Sequence, residues 1–576
     1  MSRFNINRKL WFLVHSWLAL PIWFLLFFIC LTGSIATVSH EIVWLMKPEV
    51  RANPPSSDAL MLSPETIVAT IEREHPEADV LELSRPVKSM FAWTVKAAYP
   101  DFRIIEHYVN PYTGALQGSA PVGLDFRRFM RALHGWLLVP FHNGSSWGWY
   151  AVSFLGLPLL GSLITGLVVY KRFWRGYLRP KIRFDKGARQ FWGYVHRLIG
   201  IWSAPFILIM SVTAVWFLVQ AILNDSGISL APPESDIPKI IAWDGVPLTA
   251  DGETPERIGL DRAAELAQVV FPGMEPSLYA MSGSHYDHLR VWGPAAGYPL
   301  LTEGIRINSY NGEVEHVQRL SDRTLLALVT ASMRPLHTGD FAGLWLKLTY
   351  FFFGLLLTLM VLSGMLIWTK RTLRQTVAAW KEGEHRVQDP SVDRGAIRRS
   401  TRLSDTGLAN TWSRWRFHLS VLLFLVPLAF LPRYLHQNSA ERIANVEMGE
   451  GQVWDYRIGP WSVRLAEWET QPPELHEGLY EKTFALALCD ACVSQVKASY
   501  MRVGKPRSNI KTSGALFSGS AYRQLATLTV PEALSANAKL WLTLEGWDGT
   551  VHRGVVSLAD VSPVTAEWAR REKNPL

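Results

Sequence analysis

Charge is what this chain has least of: Asp, Glu, Lys and Arg make up 19% of its 576 residues, against 48% hydrophobic residues and 25 tryptophans. That balance favours a membrane protein. Basic residues interleaved with aromatics are missing as a patch, so the net charge of +8 does not point to nucleic acid. No G-x-G-x-x-G follows a strand, and the basic loops leave no room for a dinucleotide-binding unit. Cysteine is scarce, three in all. Cys30 lies within an apolar run, while Cys489 and Cys492 form "CDAC", a candidate disulfide if that part of the chain is exported to an oxidising compartment.

The apolar residues gather in long runs. Residues 11–38, 147–170, 202–223 and 344–368 are each about 20 residues or more, enough to cross about 30 Å of hydrocarbon. A fifth run, 417–431 with Pro427 inside it, is only marginally long enough. The first run follows Arg3, Arg8 and Lys9 like the core of a signal peptide. It is too long for one and lacks a clear small-residue cleavage site, so a span is expected.

Loop charges give the orientation. Residues 171–190 carry eight Lys/Arg against one Asp, and 370–416 carry eleven against five acids. Residues 41–126 hold seven basic and twelve acidic residues, and 225–340 hold eight and sixteen. The N-terminus and the basic loops are therefore expected in the cytoplasm, and the acidic loops outside.

The chain repeats itself. "LSPETIVATIEREHPEADVLELSRP" and "LDRAAELAQVVFPGMEPSLYAMSG" each read as an amphipathic helix leading to strands, and the turns at Thr113-Gly114 and Asn311-Gly312 close each copy. "RALH" (Arg131 to His134) precedes the second run and "RPLH" (Arg334 to His337) the fourth. Two copies of span–loop–span are expected, followed by a fifth span and a tail whose alternating polar and apolar residues read as a β-rich, sandwich-like domain.

Topology then sorts four histidines into two depths. His15 and His196 start spans one and three; 17 residues after each come Thr32-Gly33 and Thr213-Ala214, about 26 Å away along a helix. His134 and His337 stand at the opposite membrane face, and Thr165-Gly166 and Ser363-Gly364 return to the level of His15 and His196. Each level thus combines two imidazoles with two small-residue gaps, Gly33, Gly166 and Gly364 among them. A flat macrocycle needs that combination: an axial nitrogen on either face and little bulk beside the ring. Two axial imidazoles leave no open iron position and favour electron transfer. Valine at 493 excludes c-type attachment at "CDAC", so the expected cofactors are two non-covalent haems of the b type. Zinc fits less well, since no Cys or carboxylate completes a tetrahedral set. His142, eight residues after His134, is an alternative to it. His40 and His418 read as interfacial side chains. His285 and His288 in "SHYDH" are weak metal candidates on what reads as a solvated strand or loop.

"LHGWLLVP", "SLITGLVVYKRFWR", "YVHRLIGIWSAPF" and "PLHTGDFAG…FFFGLLLTLMVLSGMLIWTKR" resemble the recurrent patterns of the PepSY-associated transmembrane helix family, and "NPYTGAL" and "NSYNGEV" resemble its PepSY modules. The resemblance covers residues 8–375. It implies a haem protein similar to inner-membrane ferric-siderophore reductases, with His15 and His196 holding a cytoplasmic-side haem and His134 and His337 a periplasmic-side one. At Tyr170 and Ile207, where some relatives carry histidine, this chain departs, and no haem is assigned there.

The expected fold is a membrane α-helical protein: a four-helix haem-binding bundle from the duplication, a fifth span, two periplasmic α+β PepSY-like modules and a C-terminal β-rich periplasmic domain. Its segments are the N-terminus and span one (1–38), module one (39–130), span two (131–170), a cytoplasmic loop (171–190), span three (191–223), module two (224–336), span four (337–369), a second cytoplasmic loop (370–414), span five (415–432) and the tail (433–576). The expected activity is electron transfer from a quinol or a membrane or cytoplasmic protein donor to a periplasmic acceptor. A ferric siderophore is the acceptor the resemblance implies, because one electron converts tightly chelated Fe(III) into weakly held Fe(II). The modules and tail would dock the substrate or a periplasmic partner protein. The rival expectations are a membrane-anchored scaffold or regulator of periplasmic proteins, and an iron or copper transporter.

Overall fold

The computed structural model describes residues 8–573 apart from 57, 87, 142–145, 171–176, 180–186, 227, 229, 231–254, 389–417, 440–447, 477–478, 507–513 and 532. The two basic loops and His142 fall largely or wholly outside the described residues. Among the described residues five helical runs are long and apolar enough to cross a membrane: Leu10–Thr37, Trp147–Val169, Ala204–Asp225, Gly343–Trp368 and Ser420–Gln437. This is a membrane protein.

Three of the first four spans are interrupted. In span one a 3-10 turn at Leu20–Ile22 separates the helices Arg8–Ala19 and Trp23–Thr37, because Pro21 has no N–H to give an α-helical bond. Span two divides at Leu155 into Trp147–Phe154 and Gly156–Val169. Span three divides at Ser203, with Pro205 in the first turn of Ala204–Asp225, so that His196 lies on the preceding helix, Ala188–Trp202. The fourth helix runs unbroken from Gly343 to Gln388. The fifth span ends later than the apolar run alone indicates: a 3-10 stretch, His418–Phe424, leads into the helix Leu425–Gln437. Pro427 falls in the first turn of that helix, where no intrahelical donor is lost.

The duplication is visible in the packing. The first half of span one lies on Gly156–Val169, and the first half of span three lies on the fourth helix. The second halves exchange neighbours: Trp23–Thr37 packs on the fourth helix and Ala204–Asp225 on Gly156–Val169. Small residues permit both close crossings. A Cβ on Gly354 would stand 2.5 Å from Ser34 Oγ, and one on Gly156 2.8 Å from the backbone nitrogen of Val215. Span five joins from outside, with Phe424 edge-on to Phe24 and Phe28.

The two loop modules are not separate domains. Strands β1 (Asp79–Ser84), β2 (Trp93–Ala98), β3 (Ile104–Val109) and β4 (Leu116–Pro121) come from the first. Strands β5 (Leu278–Ala280), β6 (Leu289–Ala295), β7 (Tyr298–Ile307) and β8 (Val314–Gln318) come from the second. They form one antiparallel sheet in the order β4-β3-β2-β1-β5-β6-β7-β8, joined where Leu83 pairs with Tyr279. Taken alone, each half would expose an unpaired edge; the β1–β5 pairing removes both. One core spans the join, with Ile67 and Ile71 from helix Pro64–Glu74 and Ala263 and Ala267 from helix Leu260–Val270 set against Leu83, Val95, Val291 and Ile305. The closing turns are built alike: Gly114 and Gly312 take φ of 71° and 74°, and their N–H groups donate to the carbonyls of Asn110 and Asn308.

The tail is a sandwich. One sheet runs Ser518–Gly519, Gln524–Val530, Leu479–Leu488, Trp461–Glu467 and Trp454–Ile458, and the other Ala515–Leu516, Val496–Val503, Lys539–Gly546 and Val551–Ser557. Their inner faces share a core that includes Leu465, Leu486, Met501, Leu542 and Leu544. A closing helix, Pro563–Lys573, adds Ala566 and Ala569 to it. Cys489 and Cys492 are disulfide-bonded. The sandwich is docked on the eight-stranded sheet: the N–H of Gly519 donates to Gly283, that of Ala521 to Asp79 at 2.6 Å, and the Tyr286 hydroxyl to Glu545 at 3.1 Å. Phe102, at the β2–β3 turn, is buried among Met448, Ala466, Ala485 and Ala487.

Candidate functional site

Four histidines meet in two pairs, one near each end of the bundle. The pair next to the sheet domain, His134 and His337, is called proximal here; His15 and His196 form the distal pair. Ring centroids stand 6.2 Å apart in the distal pair, with planes at 78°. They stand 6.2 Å apart in the proximal pair, with planes at 31°. In both pairs the partners come from opposite halves of the duplication.

Each ring is seated on a neighbouring helix through Nδ1. His15 donates to the Ser162 carbonyl at 3.1 Å and meets the Thr165 hydroxyl at 3.0 Å. His196 donates to the Met360 carbonyl and meets the Ser363 hydroxyl, both at 3.0 Å. His134 donates to the Ile29 carbonyl at 3.0 Å. His337 meets the Thr213 hydroxyl at 2.7 Å. The hydroxyl protons are committed elsewhere: Thr165 donates to Gly161, Thr213 to Ile209 and Ser363 to Met360. A carbonyl oxygen can only accept, so the neutral rings of His15, His196 and His134 carry their proton on Nδ1 and leave the Nε2 lone pair available. That is the tautomer a metal-binding imidazole needs, held by an outer-shell acceptor.

The seats correct the expectation for the small residues. Gly33, Gly166 and Gly364 are not open gaps beside a ring-shaped ligand; each receives the imidazole of a facing helix. A Cβ at Gly33 would stand 2.6 Å from His134 Cε1, at Gly166 3.5 Å from His15 Cε1, and at Gly364 3.4 Å from His196 Cε1. In the distal pair the Thr/Ser-Gly dipeptide is thus a seat made of a hydroxyl, a carbonyl one turn back and a missing side chain; the proximal seats keep only part of it. Sequence reading placed these dipeptides at the correct depth. It missed their orientation and the carbonyls of Ile29, Ser162 and Met360, which leave no trace in residue type.

The donor set suits a metal held by two imidazoles. An imidazole nitrogen bonds a transition metal at about 2 Å, so two on opposite sides of one metal stand about 4 Å apart and their ring centroids about 6 Å apart. Both observed separations match. Among the described residues no group of three or more His, Cys, Asp or Glu is placed to hold a metal ion, so neither pair is completed to the tetrahedral set that zinc takes. A four-nitrogen macrocycle supplies the remaining ligands itself, which is how haem iron is held by two axial side chains. The residues present fit haem.

Between the two levels the buried side chains are mainly apolar, with the hydroxyls of Ser203 and Thr358 among them. Leu159, Ile207 and Leu357 are buried there with Cys30, Phe206, Met210 and Met360 around them. Ile207, a position of departure from the family pattern, is 2% exposed and offers no ligand; Tyr170 caps the helix Gly156–Val169. Beside the proximal pair, Phe217 lies 5.3 Å from the His337 ring and forms one wall of a cleft of about 180 Å³ shared with Phe141, Trp149, Gln220 and Asp225.

Three other candidate histidines have partners of their own. His40 bonds Arg127. His285 and His288 are not solvated: His288 bonds Glu315 at 2.7 Å and is 4% exposed, and His285 lies 4.5 Å from the Trp547 ring at the contact with the tail. Burial, then the charges of Arg257 and Lys497, pushes the His285 pKa down to about 3. A network that the sequence did not announce ties the bundle to the sheet domain: buried Lys347 reaches Asp340 at 2.6 Å and Glu41 at 3.5 Å, and Glu41 also pairs with Lys88.

A family described as the PepSY-associated TM region matches residues 12–371, and the chain belongs to it. Residues 411–559 match a second family, described as an uncharacterised conserved protein, so the fifth span and the sandwich recur as a unit. The uncharacterized protein PA4219 of Pseudomonas aeruginosa is 28% identical over 241 residues, 38% of this chain and 58% of that protein. The match therefore spans little more than half the length of that relative.

Proposed function

We propose that this member of the PepSY-associated family is a membrane oxidoreductase that holds two haem b groups and carries electrons through the bundle to an acceptor on the side of the sheet domain. The observation that carries the proposal is the pairing of four histidines at one shared separation, each held through Nδ1 by a neighbouring helix. His15 and His196 would hold the distal haem, and His134 and His337 the proximal one. Bound there, haem supplies a one-electron couple with no open coordination position.

The protein's own part is to fix four imidazoles and keep the region between the two levels dry. The largely apolar cluster around Ile207 and Leu357 does the second. A scaffold would have no use for paired imidazoles at two depths.

The acceptor proposed is a ferric siderophore in the periplasm, with the protein in a bacterial inner membrane, its N-terminus cytoplasmic and its sandwich periplasmic. A quinol or a membrane or cytoplasmic protein is the proposed donor, and the sheet domain and sandwich are where the siderophore or a partner protein would dock. Oxygen chelators hold Fe(III) far better than Fe(II), so one electron per chelate releases the metal with the ligand intact. The test uses detergent-purified full-length protein, reduced without oxygen and mixed with a ferric hydroxamate chelate and a colorimetric Fe(II) trap. Trapped Fe(II) equal to the electrons lost by the protein is the expected result. A reduced protein that stays reduced in the presence of several ferric chelates contradicts the assigned acceptor.

A further inference from the structure

The two pairs differ in what precedes them. One helical turn before each proximal histidine stands an arginine, Arg131 before His134 and Arg334 before His337; the same positions before His15 and His196 hold Phe12 and Gly193. Both arginines lie on helices, Phe126–Trp136 and Leu325–Thr338, and residues three apart share a helix face about 5 Å from each other. His134 and His337 stand 6.2 Å apart, so the two arginines lie one turn back on the two helices that meet at one site.

Neighbouring arginines on the first helix are already committed. Arg128 pairs with Glu106 and Asp125, and Arg127 bonds His40. Among the described residues neither Arg131 nor Arg334 has a carboxylate within ion-pair distance. Arg131 lies 5.9 Å from the Trp136 ring centroid. Partial burial, then the charges of Arg334 and Arg127, pulls its pKa down. Two exposed guanidinium groups without a carboxylate partner among the described residues, one on each helix that carries a proximal histidine, suit a dianionic ligand.

We propose that Arg131 and Arg334 each bind one carboxylate side arm of the macrocycle held between His134 and His337, fixing its rotation and neutralising its charge. The inference rests on the haem reading above and adds to it a direction: the proximal macrocycle turns its acidic edge toward the sheet domain, whereas no arginine stands one turn before either distal histidine. A guanidinium fork suits the task because it meets a carboxylate with two parallel hydrogen bonds, which a lysine cannot reproduce.

The test is a redox titration, followed optically, of the full-length protein and its Arg131→Gln, Arg334→Gln and doubly substituted forms, with the distal centre as an internal control for folding. Losing a positive charge beside the iron favours the ferric form. Each single substitution should raise the Fe(III)/Fe(II) ratio of the proximal centre at a fixed potential by about tenfold, which is 59 mV for one electron. The distal centre should not move. Arg131→Lys should recover part of the shift. If the distal haem is retained and the proximal potential is unchanged in the double substitution, the clamp is wrong and the arginines serve lipid phosphates or the surface. Equal shifts at both centres would also overturn it, as a general field effect. Wild-type protein with no haem would instead remove the reading on which the clamp depends.

Discussion

The distal and proximal histidine pairs are two solutions to one geometric problem. Both hold ring centroids 6.2 Å apart, yet they differ in how the rings are seated. In the distal pair both seats are complete: a glycine, a hydroxyl and a backbone carbonyl behind each ring. In the proximal pair His134 presses directly on Gly33 and reaches the carbonyl of Ile29, while the matching seat carries Ala214 and holds His337 by the Thr213 hydroxyl. The Ala214 methyl lies beside Gly156 on span two. A duplication thus preserves the separation between ligands while the backing of each ligand drifts. The separation is the same in both pairs, while the backing follows whatever the neighbouring helix offers.

The comparison breaks most visibly at the ligands themselves. His337→Ala or His134→Ala should remove half of the haem absorbance and leave the distal spectrum; His15→Ala or His196→Ala should remove the other half. Full retention in all four would sink the ligand assignment.

Next come the seats. Gly33→Ala puts a methyl 2.6 Å from the His134 ring and Gly166→Ala puts one 3.5 Å from that of His15. The first should cost about 1–3 kcal/mol through overpacking and lower proximal haem content, whereas the second should be nearly neutral. Thermal melts with haem counts separate the two, and equal effects would contradict the asymmetry.

A smaller contrast concerns the hydroxyls. Thr213→Val removes the hydrogen bond that fixes His337 and should cost about 0.5–1.5 kcal/mol; Thr165→Val leaves His15 its carbonyl partner and should cost less. The ranking is checked by the protein's melting temperature and by the proximal and distal potentials. Subtlest is the ring angle. Nearly perpendicular axial imidazoles leave the iron orbitals close in energy, so the distal centre, at 78°, should give the broader and more anisotropic low-spin resonance. The proximal centre, at 31°, should give the more rhombic one, as frozen-solution paramagnetic resonance of the single-pair variants would show.

Much of this was legible in the residues because hydropathy and spacing survive without a structure. Five apolar runs became five span-length helices, and the 17-residue step from histidine to threonine located both levels. The tail's alternation read correctly as a sandwich. The fusion of the two modules into one sheet was not legible, since β1 and β5 pair across nearly 200 residues and edge strands do not name their partners. Nor was the backing of the rings: the carbonyls of Ser162, Met360 and Ile29 belong to residues of no shared type. Ser203 and Leu155 break their helices without a sequence signal beyond the prolines that follow.

The most direct test is a haem count on the detergent-purified chain, by pyridine haemochrome together with a reduced-minus-oxidised spectrum. Two b-type haems per chain, both six-coordinate and low-spin, are predicted. A colourless protein, or one whose bound haem survives loss of all four histidines, would contradict the paired-imidazole account.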